Sequence, residues 1–399
     1  MISAATSPPR FATLVLLTGL SVLTLNMFLP SLPSIAADLE AVYTFVSLSV
    51  SGYLAMTAAL QLIIGPLSDR FGRRPVLLAC VALFTLASLG CAMATNIWAF
   101  LAFRILQGAV IAGYTLSLAV IRDTMSPQRA AGLIGYVSMA MAVAPMIGPM
   151  IGGALDELFG WRASFVTLFV LGAVALAACW YDLGETNRSP SDTLMTQIGT
   201  YPELVRSKRF WGYALCMTFS TGAFYSFLAG APLVAETLFA MPPSVLGFYM
   251  GTITAGFMLG SFLAGRYAQR YALTTMMIAG RISACVGLTA GLALYAAGFV
   301  NVASFFGATV FLGFGNGLTI PSSNAGALSV VPHLTGSASG LSGALTVGGG
   351  ALLMTITGTI LTERNAAYAV LGMMLLCAFI GLIAALYVRQ MDRNEACSE

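Results

Sequence analysis

Residues 65–94 read GPLSDRFGRRPVLLACVALFTLASLGCAMA. The opening segment carries Asp69, Arg70, Arg73 and Arg74, and everything from Pro75 to Ala94 is uncharged. About 20 residues of α-helix rise roughly 30 Å, the thickness of a bilayer's hydrocarbon layer. The change of texture at Arg74 is therefore read as a membrane boundary, with the arginines left in water. A barrel strand would alternate apolar and polar residues; 75–94 does not alternate, so the span is a helix.

The same texture runs through the chain, which is 58% hydrophobic and 8% charged with a mean hydropathy of +0.88. An average soluble domain has about 25% charged residues. Through a window of about 19 residues, spans fall at roughly 11–33, 43–66, 75–94, 97–121, 129–155 and 162–182, then at roughly 211–236, 243–265, 274–298, 302–325, 336–361 and 366–388. The polar stretch LGETNRSPSDTLMTQIGTYPELVRSKRF (183–210) separates the two sets. The predicted organisation is an N-terminal six-helix bundle (1–182), a cytoplasmic linker (183–210) and a C-terminal six-helix bundle with a short cytoplasmic tail (211–399). Arg10 precedes a full-length apolar run closed by Pro30 and Pro33, which reads as an uncleaved first span.

Loop charge sets the orientation. With the N-terminus in the cytoplasm, that side holds Arg10, Arg70, Arg73, Arg74, Arg122, Arg129, Arg188, Arg206, Lys208, Arg209, Arg266, Arg270, Arg389 and Arg393. The other side holds only Arg162 and Arg364, so both termini are expected in the cytoplasm. Arg104 and Arg281 fall inside spans. The loop after span eight, SFLAGRYAQR (261–270), echoes GPLSDRFGRR (65–74) at the same topological position, as an internal repeat would.

Several function classes drop out. The seven cysteines include no CxxC pair, and six lie in spans, which argues against a disulfide framework or a metal site. The lone His333 has no catalytic constellation, and no GxxxxGK[ST] loop is present to bind ATP. No soluble catalytic domain fits. The chain is expected to be no enzyme, to need no cofactor or metal, and to draw its energy from an ion or proton gradient.

The candidate residues follow from cost. Arg104 in mid-span is expensive in lipid and should face a cavity or partner, with Gln107 one turn on along the same face; Asp123 closes that span. In the loop at 65–74, Gly65 would permit close helix approach, Gly72 a tight reversal, and Asp69, Arg70, Arg73 and Arg74 charged contacts. In span five, Gly135, Gly148, Pro149, Gly152 and Gly153 would make a bendable, closely packed seam. Asn26, Tyr53, Tyr114, Tyr136, Tyr225, Tyr249, Asn316 and Asn324 are candidates to line a cavity suited to an amphiphilic small molecule.

These motifs resemble the major facilitator superfamily. Its signature loop is matched at Gly65, Asp69, Arg70, Gly72, Arg73 and Arg74, and its span-four RxxQG at Arg104, Gln107 and Gly108. Its antiporter motif is matched at Gly135, Gly148, Pro149, Gly152 and Gly153, with Ala144 replacing one glycine. The segments LNMFLPSLP (25–33), SSNAGAL (322–328) and PHLTGSASGLSG (332–343) are similar to the Bcr/CflA drug:proton antiporter branch. The resemblance implies an all-α membrane fold of twelve transmembrane helices in two pseudo-symmetric six-helix bundles. It further implies multidrug efflux from the bacterial inner membrane by alternating access. The partners would be a drug, protons and the bilayer, with no nucleic acid, and a monomer would suffice. The branch usually has an aspartate where this chain has Asn26 and a tyrosine where it has Phe28. Asn26 cannot titrate, so a metabolite exporter or facilitator not coupled to protons is the alternative.

Overall fold

The computed structural model describes residues 10–124, 144–145, 147–186, 201–267, 270–331 and 335–396. Among them every regular element is helical and no strand occurs. The first part of the chain forms α1 (Phe11–Asn26), α2 (Leu32–Asp38), α3 (Tyr43–Phe71), α4 (Arg73–Met93), α5 (Ile97–Gln107), α6 (Ile111–Thr124), α7 (147–159) and α8 (Arg162–Asp182). Then come α9 (Tyr201–Arg206), α10 (Lys208–Phe239), α11 (Pro243–Tyr267), α12 (Leu273–Ala296), α13 (Val302–Ser329), α14 (Thr335–Ile360) and α15 (Ala366–Ala396). Among the described residues, 11 stretches are long and apolar enough to cross a bilayer. The predicted span 129–155 lies partly outside the described residues.

Helix is the form these sequences must take in lipid, where every backbone N–H and C=O has to be satisfied within its own segment. The ends are marked by local chemistry. Asn96 accepts the Ala99 N–H at 2.9 Å to start α5, and Asn301 and Ser304 form a reciprocal capping box at the start of α13. Along α8, Val166, Val170 and Val174 are exposed while Phe165, Leu168, Gly172, Ala175 and Cys179 are buried. A bare valine stripe would be a liability in water; against acyl chains it is the expected surface.

The segment 65–74, expected as a loop, is mostly helix. α3 continues to Phe71, and Gly72 alone, at φ 95°, breaks the path before α4 begins at Arg73. Ser68 accepts the Gly72 N–H at 3.0 Å through its carbonyl and keeps the helix hydrogen-bonded to its last turn.

The helices group into two compact units, residues 1–196 with Pro243–Gly247, and residues 197–242 with 248–399. In the first, α4 packs on α8 and α3 on α5, and Phe28, Phe100, Trp161 and Phe165 form an aromatic knot with centroids 5.3–5.8 Å apart. In the second, α12 and α13 are the most intimate pair. A Cβ on Gly280 would lie 2.4 Å from the Gly315 carbonyl oxygen, and one on Gly315 would lie 2.2 Å from the Gly280 carbonyl oxygen. Only glycine at both positions lets the two backbones meet.

Candidate functional site: two buried arginines and a glycine seam

Arg104, on α5, has no exposed surface. It does not snorkel. Its Nη1 donates to Gln107 Oε1 and, at 3.4 Å, to the Thr24 carbonyl. Gln107 Nε2 in turn donates to Ser88 Oγ at 2.7 Å. Three rings surround the guanidinium, with centroids at 4.1 Å for Phe28, 4.8 Å for Tyr53 and 5.9 Å for Phe165. Each desolvated ring contact contributes about 2 kcal/mol, which offsets much of the several kcal/mol that burying an ion costs. Nε and Nη2 are buried without a hydrogen-bond partner, so the site keeps donors to spare. The ring nearest the cation belongs to Phe28, where the Bcr/CflA branch carries tyrosine.

The second unit contains an arginine that lies outside every sequence motif. Arg281, on α12, is also fully buried. Its Nη2 donates to Asn316 Oδ1 at 2.6 Å and its Nε to Thr319 Oγ1 at 3.0 Å, both on α13. Asn316 Nδ2 passes the network to the Ser220 carbonyl on α10 at 3.0 Å. Nη1 is buried and unpartnered. The two units thus repeat one chemistry, a buried guanidinium on a side-chain amide, with no salt bridge to either arginine among the described residues. In the first unit cation and amide share one helix; in the second they sit on neighbouring helices joined by the Gly280–Gly315 approach. An arginine inside an apolar span was the available signal for Arg281.

At the signature segment the carboxylate partner comes from beyond span six. Glu185 accepts the backbone N–H groups of Arg73 and Arg74 at 2.9 and 3.2 Å. It therefore sits at the positive end of α4. A Cβ on Gly72 would lie 2.4 Å from Glu185 Oε2. Arg73 Nη1 donates to Ser68 Oγ, Arg74 Nη2 donates to the Trp180 carbonyl at 3.0 Å, and Arg70 lies over the Phe71 ring. A Cβ on Gly65 would meet nothing within 4 Å. Close approach at this corner is therefore made at Gly72 and not at Gly65, because the helix reverses there. Asp182 plays the same part for α1, accepting the Arg10 N–H at 2.7 Å.

The α7 glycines are packed against backbone. A Cβ on Gly148 would lie 3.2 Å from Asn26 Cβ, one on Gly152 1.5 Å from the Met27 carbonyl oxygen, and one on Gly153 2.1 Å from the Pro243 carbonyl oxygen within the same unit. Pro149 is buried beside them. Asn26 is buried, donates from Nδ2 to the Val22 carbonyl at 2.8 Å, and leaves Oδ1 without a partner. Tyr53 is buried and donates to the Ser21 carbonyl at 3.1 Å. Tyr225 is buried under Gly350, Tyr114 is half-buried, Tyr249 is half-buried against Phe306 at 5.0 Å, and Asn324 is exposed. Gly135, Tyr136 and the side chains of Asp69 and Asp123 lie outside the described residues.

The model of the Major Facilitator Superfamily matches residues 14–354. The chain belongs to that superfamily. As a major facilitator protein it is a transporter, not an enzyme. It is 32% identical to "Uncharacterized MFS-type transporter YdgK" of Bacillus subtilis (strain 168), over 96% of this chain and 97% of that protein. It is 30% identical to "Chloramphenicol resistance protein" of Pseudomonas aeruginosa, over 90% of this chain and 86% of that protein. A solved inward-facing, occupied structure of a bacterial homologue of the human lysosomal transporter Spinster shares the major facilitator fold, with TM-score 0.77 and 18% identity over 98% of both chains.

Proposed function

We propose that the protein is a secondary active exporter that moves small amphiphilic drugs out across the bacterial inner membrane, in exchange for protons and by alternating access. Both termini lie in the cytoplasm and a monomer is the working unit. The observation that carries this is the similarity, over 90% of the chain, to a protein named for chloramphenicol resistance. The spare donors of Arg104 support it: a buried guanidinium with Nε and Nη2 unpaired is poised for an acceptor on a substrate or on a neighbouring acid. Arg104, Gln107 and Asp123 orient substrate or couple it. Gly65, Asp69, Arg70, Gly72, Arg73 and Arg74 form the cytoplasmic gate. Gly135, Gly148, Pro149, Gly152 and Gly153 form the seam on which it works, and Asn26, Tyr53, Tyr114, Tyr136, Tyr225, Tyr249, Asn316 and Asn324 stand along the path. The test is chloramphenicol susceptibility of an exporter-deficient strain expressing the protein. Wild type should raise the tolerated concentration at least fourfold, and equal susceptibility of wild type and vector across a broad drug panel would remove the resistance role.

One observation favours a second reading, an exporter or facilitator of a metabolite without protons. Asn26 is buried, cannot titrate, and stands where the branch has its aspartate. Drug-dependent pH change in everted vesicles separates the two; intact drug transport with no proton movement would remove antiport.

A further inference from the structure

The face of α7 that carries the glycine seam ends in an acid. Gly148, Gly152 and Asp156 recur every fourth residue and so share one stripe. Gly148 packs on Asn26 and Gly152 on Met27. One turn further, Asp156 Oδ2 accepts the Ser34 hydroxyl of α2 at 2.8 Å. The carboxylate thus stands about 12 Å along the helix from the Gly148–Asn26 contact, at the helical rise of 1.5 Å per residue, just past the predicted span. It is 9% exposed, and no other acid is buried among the described residues. Ser31 is fully buried beside it, and its hydroxyl, like that of Ser34, favours the ionised carboxylate.

No cation neutralises this carboxylate among the described residues of its unit. Arg162, at the start of α8, is held by Asp38 of α2 at 2.7 Å and lies over the Trp161 ring. Glu40 and Glu157 are exposed. Tyr43 opens α3, while α1 and Pro243–Gly247 contribute no titratable side chain. Burial pushes the Asp156 carboxyl above the ordinary aspartate range, and the Ser34 and Ser31 hydroxyls pull it back.

Resting on the antiport proposed above, we infer that Asp156 is the carboxylate that exchanges a proton with the outer face during the cycle, Ser34 holding its ionised form. The proton comes from periplasmic water and adds to a carboxylate oxygen, and Ser34 keeps its own hydrogen. The neutral acid then holds the Ser34 and Ser31 hydroxyls less strongly than the carboxylate did. Proton uptake so loosens the contact of α7 with α2 and the turn before it, on the stripe that grips α1. An acid at the end of the seam takes the place of the one that Asn26 cannot supply.

The test uses the full-length protein in proteoliposomes, with chloramphenicol as probe, and a pH titration of the carboxyl infrared band. Asp156→Asn should lower acid-gradient-driven uptake at least tenfold and remove a carboxyl band that titrates above the normal aspartate range. Asp156→Glu should restore a pH-dependent response, and Glu157→Gln should behave as wild type. Ser34→Ala keeps the inference falsifiable if Asp156→Asn does not fold. Loss of a donor to the ionised form raises the folded pKa, so the midpoint of the pH dependence must move to higher pH. Gradient-driven uptake in Asp156→Asn with a wild-type pH profile overturns the inference and leaves the exporter intact. Wild-type drug exchange that ignores the gradient overturns both the inference and antiport. If wild type moves no chloramphenicol, the proposed function falls, and the infrared band alone decides for or against Asp156.

Discussion

Gln107 holds Arg104 within a single helical turn, and three aromatic rings, not a carboxylate, complete the shell around that cation. An arginine so placed is stabilised by polarisable faces and keeps two donor nitrogens unsatisfied. It is an electrostatic feature that a substrate or a moving acid can use.

Replacing Arg104 with Ala should abolish drug resistance, returning the tolerated concentration to the vector level, with the protein still inserted in the membrane. Lysine should rescue it only in part. An ammonium is a point charge without the planar fork that reaches Gln107 and Thr24 while stacking on rings. Resistance profiles normalised to membrane protein level check this; a fully active Arg104→Lys would refute the dependence on guanidinium shape.

The glycines of α7 and α3 should differ sharply. Gly152→Ala puts a methyl group on the Met27 carbonyl, so it should lower the melting temperature of the purified protein by several degrees and reduce transport. Gly65→Ala meets open space and should leave melting unchanged. Differential scanning fluorimetry on both variants reads the contrast.

Glu185→Ala should destabilise the α4 start by about 1 kcal/mol, the upper range for a carboxylate at an exposed helix N-terminus. Gly72→Ala should cost more, since it combines a left-handed φ with a clash against Glu185. In the double variant the clash is gone but the φ strain remains, so melting should recover only partly. Measuring the three melting curves tests the arrangement.

Arg281 and Asn316 should be energetically coupled. Arg281→Met leaves Asn316 Oδ1 and Thr319 short of a buried donor, at about 1–3 kcal/mol. Pairing it with Asn316→Leu removes one orphan and should restore part of the loss. A double-mutant cycle on denaturation midpoints reports the coupling; strict additivity would place the two residues in separate networks.

Asp69 and Asp123 were candidates by motif position and by place at a span end, while Glu185 and Asp156 acquire their contacts from neighbours more than a hundred residues away. The segment 65–74 was legible as a motif, but its partner was not, because Glu185 sits in a stretch that composition marks only as polar. Gly148 and Gly152 were legible as a packing stripe, yet which helix they grip is not written in their spacing.

What the sequence alone determined is the solvent and the architecture: uncharged runs long enough to cross a bilayer, arginines gathered on alternate loops, and a polar break between two sets of spans. These depend on local sums of hydrophobicity and charge, which one-dimensional order preserves. The tertiary structure decided which faces meet: Phe28, Tyr53 and Phe165 around Arg104, Asn316 under Arg281, Ser34 on Asp156. Burial and pairing of a polar group depend on side chains brought from distant helices, and helix packing is selected by shape at each crossing, which no spacing within a single helix records.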